Sequence, residues 1–94
     1  MDELQYDSVW DAIEATPAVA ANMKARADLM IALRQTIDTW DLNQAAAAKK
    51  LGLTQPRLND LLRGRITRFS LDALMKIAVK AGLSVRVEIV RPAA

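Results

Sequence analysis

Cysteine and histidine are both absent from the 94 residues of this chain. Their absence excludes disulfides, thiolate zinc sites and imidazole acid–base chemistry. The remaining candidate acids, bases and nucleophiles are scattered Asp, Glu, Lys and Ser side chains that form no recognisable catalytic constellation. We therefore expect no enzymatic activity, no catalytic residue, no metal site and no cofactor.

Aromatic residues and long apolar runs are also scarce. Aromatic residues make up 4% of the chain and apolar residues 52%, so aliphatic side chains must build the core. No apolar run approaches the ~20 residues of a transmembrane helix. The N-terminal stretch MDELQYDSVWD is acidic, which is the wrong sign for a signal peptide. We expect one small cytoplasmic domain with no membrane association.

The charges that are present are unevenly distributed along the chain. Residues 1–41 carry three basic side chains against eight acidic ones, whereas residues 42–94 carry ten against three. A division of this kind suggests two surfaces with different partners. Random scatter of charge in a small protein is the alternative interpretation.

Capping and helix-breaking residues predict four helices after an acidic N-terminal segment, which itself contains a short helical candidate, SVWDAIEA. Thr16 and Pro17 predict the start of a long helix that ends near Thr39. Its apolar stripe is predicted at Val19, Met23, Met30, Leu33, Ile37 and Trp40. The N-caps and stops of the next three helices are predicted at Asn43 and Gly52, Thr54 and Gly64, and Ser70 and Gly82.

The periodicity changes after the last predicted helix. In SVRVEIV, residues 84–90, apolar and charged side chains alternate, which predicts a β-strand. A strand must satisfy its backbone hydrogen bonds, and the sequence contains no second convincing strand. We expect this strand to pair across a homodimer, with Val85, Val87 and Ile89 in the interface. A strand that folds onto its own chain is the alternative.

The stretch KKLGLTQPRLNDLLRGR joins two short helical patterns through a tight turn at Gly52. Ala47 and Ala48 allow two helices to approach closely, and Leu58 and Leu61 give the second helix a buried side. This is the arrangement of a helix-turn-helix. A helical hairpin in an ordinary α-bundle is the alternative.

The second helix of a helix-turn-helix enters the DNA major groove with its N-terminal end. Gln55, Arg57 and Asn59 are side chains of the types that read adenine and guanine. Further side chains are predicted to contact phosphate groups, namely Gln44, Lys49, Lys50, Arg63, Arg65 and Arg68. We therefore expect binding to double-stranded DNA with a palindromic operator.

Residues 43–74, NQAAAAKKLGLTQPRLNDLLRGRITRFSLDAL, resemble the helix-turn-helix of the XRE (lambda-repressor-like) family. With the flanking stretches SVWDAIE, LMIALRQTI and GLSVRVEIV, the chain more narrowly resembles HigA-type antitoxins. The resemblance implies a dimeric repressor of its own operon that also neutralises a HigB/RelE-like mRNA-cleaving toxin. It places Gln44, Thr54, Gln55, Arg57 and Asn59 at positions that the family uses on DNA. A stand-alone XRE-family repressor without a toxin partner is the alternative.

The sequence departs from this family in two places. A strand replaces the fifth helix of many XRE domains, so their mode of dimerisation does not carry over. Pro56 and Asp60 occupy recognition-helix positions that hold Gln in some relatives, so the operator sequence does not carry over either.

The acidic N-terminal segment is the predicted binding site for a cognate basic toxin. Tyr6, Trp10 and Ile13 are three or four residues apart and would form the apolar face of a helix, while Asp11 and Glu14 add negative charge. Packing of Trp10 onto the domain's own core is the alternative.

The sequence thus predicts a mainly α fold, a compact XRE-type helix-turn-helix domain with a C-terminal β-strand that pairs across a dimer. We divide it into an acidic segment with a short helix over 1–16, a DNA-binding domain over 17–83, and a strand and tail over 84–94.

Overall fold

A computed structural model describes residues 16–93 of the chain, and this part is mainly helical. In chain order it contains α1 (Pro17–Asp38), α2 (Gln44–Leu51), α3 (Gln55–Leu62), a 3₁₀ turn (Ile66–Arg68) and α4 (Leu71–Lys80). The helix predicted in SVWDAIEA lies outside the described residues. Among residues 16–93, no helix combines the length and the apolar content needed to cross a membrane.

Each helix begins at its predicted cap. Four side-chain oxygens accept a hydrogen bond from the backbone N–H three residues further along, and their donor–acceptor distances lie between 2.8 and 3.3 Å. These N-caps are Thr16, Asn43, Thr54 and Ser70. Each bond satisfies a backbone donor that a helix leaves without an internal partner.

Gly52 ends α2 in the left-handed conformation that the sequence predicts, with φ of 70°. The next N–H, that of Leu53, donates to the carbonyl of Ala48 at 2.9 Å, which closes the turn. A Cβ at this glycine would lie 2.7 Å from Nζ of Lys80, whose side chain reaches from α4 to the turn. The lysine tip can move aside, so this position favours glycine for its left-handed backbone conformation.

The four helices and the loop before α4 share one core, which is mostly aliphatic. The buried apolar side chains are Met30, Leu33, Ile37, Ala47, Ala48, Leu51, Leu58, Leu61, Phe69, Leu74, Ile77 and Ala78. Trp40 is half-buried and packs against this core. The apolar stripe predicted for α1 is confirmed at its three buried members, while Val19 and Met23 are only half-buried.

One buried residue of α1 was not predicted to lie in the core. Arg26 occupies the apolar stripe and is only 8% exposed. Its Nη1 donates to the carbonyl oxygens of Ile66 and Phe69, at 3.2 and 3.1 Å. The guanidinium thus satisfies two backbone acceptors of the loop that follows α3, and it fixes that loop to α1.

The C-terminal segment, residues 84–93, contains no regular secondary structure, and no strand occurs among the described residues. The predicted strand is therefore not confirmed in the single chain, and neither is its folding onto the described part of that chain. Leu83 and Val85 pack against the core, whereas Val87 and Ile89 are 72% and 82% exposed. The segment does not form a strand by itself because a strand needs a neighbouring strand to pair its backbone N–H and C=O groups.

Candidate nucleic-acid interface

The predicted helix-turn-helix is formed by α2, a turn over residues 52–54, and α3. Leu58 and Leu61 are fully buried and fix α3 on the core. Ala47 and Ala48 are also buried, and their small side chains let the backbones of α2 and α3 approach closely. With the two leucines buried, the N-terminal end of α3, at Gln55 and Pro56, is exposed to solvent.

Two of the predicted base-reading side chains lie on the accessible part of α3. Gln55 is exposed at the first position of the helix, and Asn59, one turn later, is half-buried. Pro56 is exposed between them and breaks no helical hydrogen bond at this position. Thr54 caps the helix, with its hydroxyl oxygen 3.2 Å from the N–H of Arg57.

Arg57 of α3, a predicted base-reading residue, already has partners within the fold. Its Nη1 donates to the carbonyl of Arg68 at 2.7 Å. Its guanidinium carbon lies 4.0 Å from the centroid of the Phe69 ring, a cation–π contact. Arg57 therefore braces the loop after α3. Its contact with a base remains a prediction, and the N–H groups that do not bond Arg68 would have to make that contact.

Asp60 of α3 is held by two arginines of the loop that follows this helix. Its carboxylate accepts hydrogen bonds from Arg65 at 3.1 Å and from Arg68 at 3.2 Å. The side chain of Asp60 is 15% exposed, whereas those of the arginines are 39% and 56% exposed. One carboxylate thus orients two arginines, and each keeps surface available to a second anion.

The connector, residues 63–70, is held by side chains from two helices. Arg26 of α1 bonds the carbonyls of Ile66 and Phe69, and Arg57 of α3 bonds the carbonyl of Arg68. Three backbone acceptors of a short loop are therefore paired with guanidinium groups. The connector presents its own arginines from a fixed backbone, which lowers the entropy lost when they bind.

The predicted phosphate contacts lie on two parts of the interface. Arg63, Arg65 and Arg68 lie on the connector. Gln44 and Lys49 are exposed on α2, and neither side chain is hydrogen-bonded to another residue in the range 16–93. Lys50 is held differently, because its Nζ lies 4.1 Å from the centroid of the Trp40 ring.

The electrostatic character of this region is strongly positive. Residues 44–68 carry six basic side chains and a single acidic one, Asp60. A surface of this sign attracts a polyanion and speeds its encounter with the protein. The residue types and the spacing revealed the basic side chains, but no local signal revealed that Asp60, Arg57 and Arg26 organise the connector.

The five residues predicted to bind a toxin, Tyr6, Trp10, Asp11, Ile13 and Glu14, lie outside the described residues. Residues 16–93 therefore leave that prediction untested.

Comparison with protein families agrees with the geometry. The family model described as a helix-turn-helix domain matches residues 14–90, a range that contains all four described helices. A search of curated proteins finds no significant match.

Proposed function

The chain belongs to the helix-turn-helix domain family, and from this we propose that it is a DNA-binding transcriptional regulator whose α3 is the recognition helix. The observation that carries the proposal is the position of α3. Leu58 and Leu61 fix one side of it on the core, and the opposite side lies in a region with six basic side chains and one acidic.

The arrangement separates two kinds of DNA contact. Gln55 and Asn59 on α3 supply amide groups that match the edge of adenine in the major groove. Arg63, Arg65 and Arg68 flank the helix on the connector and supply charge for the phosphate backbone. In this proposal α3 provides sequence preference, and the connector provides affinity for any duplex.

A single recognition helix of eight residues spans only about 12 Å, which limits the sequence that one chain reads. We propose that two copies bind a palindromic operator as a homodimer, with half-sites about 34 Å apart. The C-terminal segment supports this proposal because Val87 and Ile89 are exposed and alternate with charged residues.

The binding proposal is tested by retention of the duplex that precedes the protein's own gene. We expect retention at low salt and a steep loss of affinity with rising salt, because bound phosphates release counterions. A scrambled duplex of equal length is the control and should bind more weakly. Absence of binding at low salt, or affinity that does not change with salt, would contradict the proposal.

Within this function we propose the finer role of an antitoxin that represses its own operon and neutralises a HigB/RelE-like mRNA-cleaving toxin. Two features of the sequence support it: the resemblance of residues 43–74 and their flanks, and the five acidic residues without any basic one in residues 1–15. An acidic segment would attract a basic nuclease. A stand-alone repressor is the competing role.

Deletion of residues 1–15 distinguishes these two roles. We expect the shortened chain to keep its helical content and its DNA binding, and to lose rescue of cells that express the toxin encoded by the neighbouring gene. Full rescue by the shortened chain would place toxin binding elsewhere. A neighbouring gene that encodes no growth-inhibiting protein would favour the stand-alone repressor.

A further inference from the structure

The C-terminal segment has a self-complementary pattern that specifies how two copies would meet. Around Val87 the sequence reads Val85, Arg86, Val87, Glu88, Ile89. The residues on the two sides of Val87 match in type, except that the two charged residues have opposite sign. An arginine precedes the centre and a glutamate follows it. Beyond them, one aliphatic residue lies on each side.

The backbone of residues 84–90 is available for pairing, and most of its side chains are exposed. Within residues 16–93, the last backbone hydrogen bond in the chain is the one from the N–H of Leu83 to the carbonyl of Ala78. Val87, Ile89 and Val90 are 72%, 82% and 74% exposed. Arg86 and Glu88 are exposed as well and form no ion pair with any residue of that range.

We propose that residues 84–90 of two copies pair as antiparallel strands about a two-fold axis at Val87, so that Arg86 of each chain faces Glu88 of the other. The inference rests on the homodimer proposed above and specifies its register. In an antiparallel pair, residues equally distant from the axis lie directly opposite each other. Two identical ion pairs therefore form on one face of the ribbon.

The neighbouring symmetric registers are less favourable. An axis at Arg86 places that arginine opposite its own copy, and an axis at Glu88 does the same with the glutamate. Like charges directly opposite each other destabilise a strand pair, whereas opposite charges stabilise it. The charges thus select Val87 among the adjacent centres.

The other face of the ribbon is apolar and continues the core. Val85, Val87 and Ile89 share this face because side chains alternate along a strand. Val85 already packs against the core. An open groove between α1 and α4 adjoins residues 83–88 and is lined by Leu29, Ala32, Leu71 and Met75, among others. A two-stranded ribbon is marginal in water, and packing against helices supplies the support it needs.

Charge reversal tests this register in the full-length protein. Arg86→Glu creates two pairs of facing glutamates, and Glu88→Arg creates two pairs of facing arginines. We expect each variant alone to raise the dimer dissociation constant about tenfold, measured by sedimentation across a dilution series at low salt. Arg91→Glu, which makes the same change of charge outside the paired residues, is the control and should dimerise like the unaltered protein.

Restoration of pairing is the sharper test. An equimolar mixture of the two single variants should form heterodimers, because each facing pair then contains one arginine and one glutamate. The double variant Arg86→Glu/Glu88→Arg should homodimerise like the unaltered protein. High salt should reduce all these differences, since the ion pairs are exposed to solvent.

The possible failures are distinguishable. A dimer that tolerates both single reversals as well as Arg91→Glu would overturn the register and leave the homodimer in place. Single variants that dissociate but do not combine in the mixture would also overturn it. An unaltered protein that stays monomeric at every concentration would overturn the homodimer, while retention of the promoter duplex would still report DNA binding separately.

Discussion

If Arg65 and Arg68 contact phosphate groups as we propose, Asp60 competes with DNA for both arginines. Its carboxylate holds Arg65 and Arg68 at 3.1 and 3.2 Å, and it belongs to the helix that we propose to lie in the major groove. A phosphate group that approaches either arginine must share it with this carboxylate. We therefore expect Asp60 to lower affinity for DNA of any sequence, without changing the sequence preference that we assign to α3.

Asp60→Asn should raise affinity for a duplex of arbitrary sequence and steepen its salt dependence. If both arginines become available to phosphates, the slope of log K against log[salt] should increase by about one to two. Fluorescence anisotropy with a labelled duplex of random sequence measures the affinity at each salt concentration and hence the slope. Asp28→Asn, which breaks the exposed pair with Lys24 on α1, is the control. Equal changes in the two variants would show that net charge alone matters.

Arg26→Met should destabilise the fold, because the carbonyls of Ile66 and Phe69 lose a buried donor. We expect a loss of about 1–3 kcal/mol in the free energy of unfolding, measured by urea denaturation. Arg34→Met replaces an exposed arginine of the same helix and should stay within about 0.5 kcal/mol of the unaltered protein. Similar values for both variants would mean that Arg26 does not hold the connector.

The helices were predictable because their signals are local. Thr16 bonds Val19, and Thr54 bonds Arg57, so each cap is set by residues three positions apart. The bond from Arg26 to Ile66 spans 40 positions, and no pattern in a single sequence reports such a distance. The connector was therefore predicted as a basic stretch, while its organisation by arginines was not.

Arg57 illustrates the same limit for the candidate interface. Its type and position in α3 predict a base contact, and both are read directly from the sequence. Its contact with Phe69 depends on how the connector folds back beside α3, which is a property of tertiary structure. Residue type and position thus nominate candidate side chains for the interface, but they do not report which of these side chains already have partners within the fold.

The cap of the recognition helix should contribute measurably to stability. Thr54→Ala removes the acceptor for the N–H of Arg57, and we expect a loss of about 1 kcal/mol in the free energy of unfolding. Thr67→Ala in the connector replaces an exposed threonine that caps no helix and is the control. Urea denaturation of both variants checks this, and equal stabilities would contradict the role of the cap.

The described residues combine a well-packed helical domain with a C-terminal segment, residues 84–93, in which Val87 and Ile89 are exposed. Val87→Asp places two carboxylates together at the proposed two-fold axis and should give monomers that bind the operator more weakly. Val87 is 72% exposed, so the fold of each monomer should be unaffected. Sedimentation and operator binding measure the two effects.

Val79→Asp is the matched control for the dimer, because Val79 is 65% exposed on α4. It should leave both dimerisation and operator affinity unchanged. Dissociation by Val79→Asp and not by Val87→Asp would place the interface on α4.

The proposal that α3 reads DNA is tested most directly by the sequence preference of Gln55→Ala. Preference is measured as the ratio of affinities for an operator, selected from random duplexes, and for a scrambled duplex at the same salt concentration. We predict that Gln55→Ala lowers this preference by about 1–3 kcal/mol, while Gln35→Ala, an exposed glutamine of α1, leaves it unchanged. Equal preference in the two variants would contradict the assignment of α3 as the recognition helix.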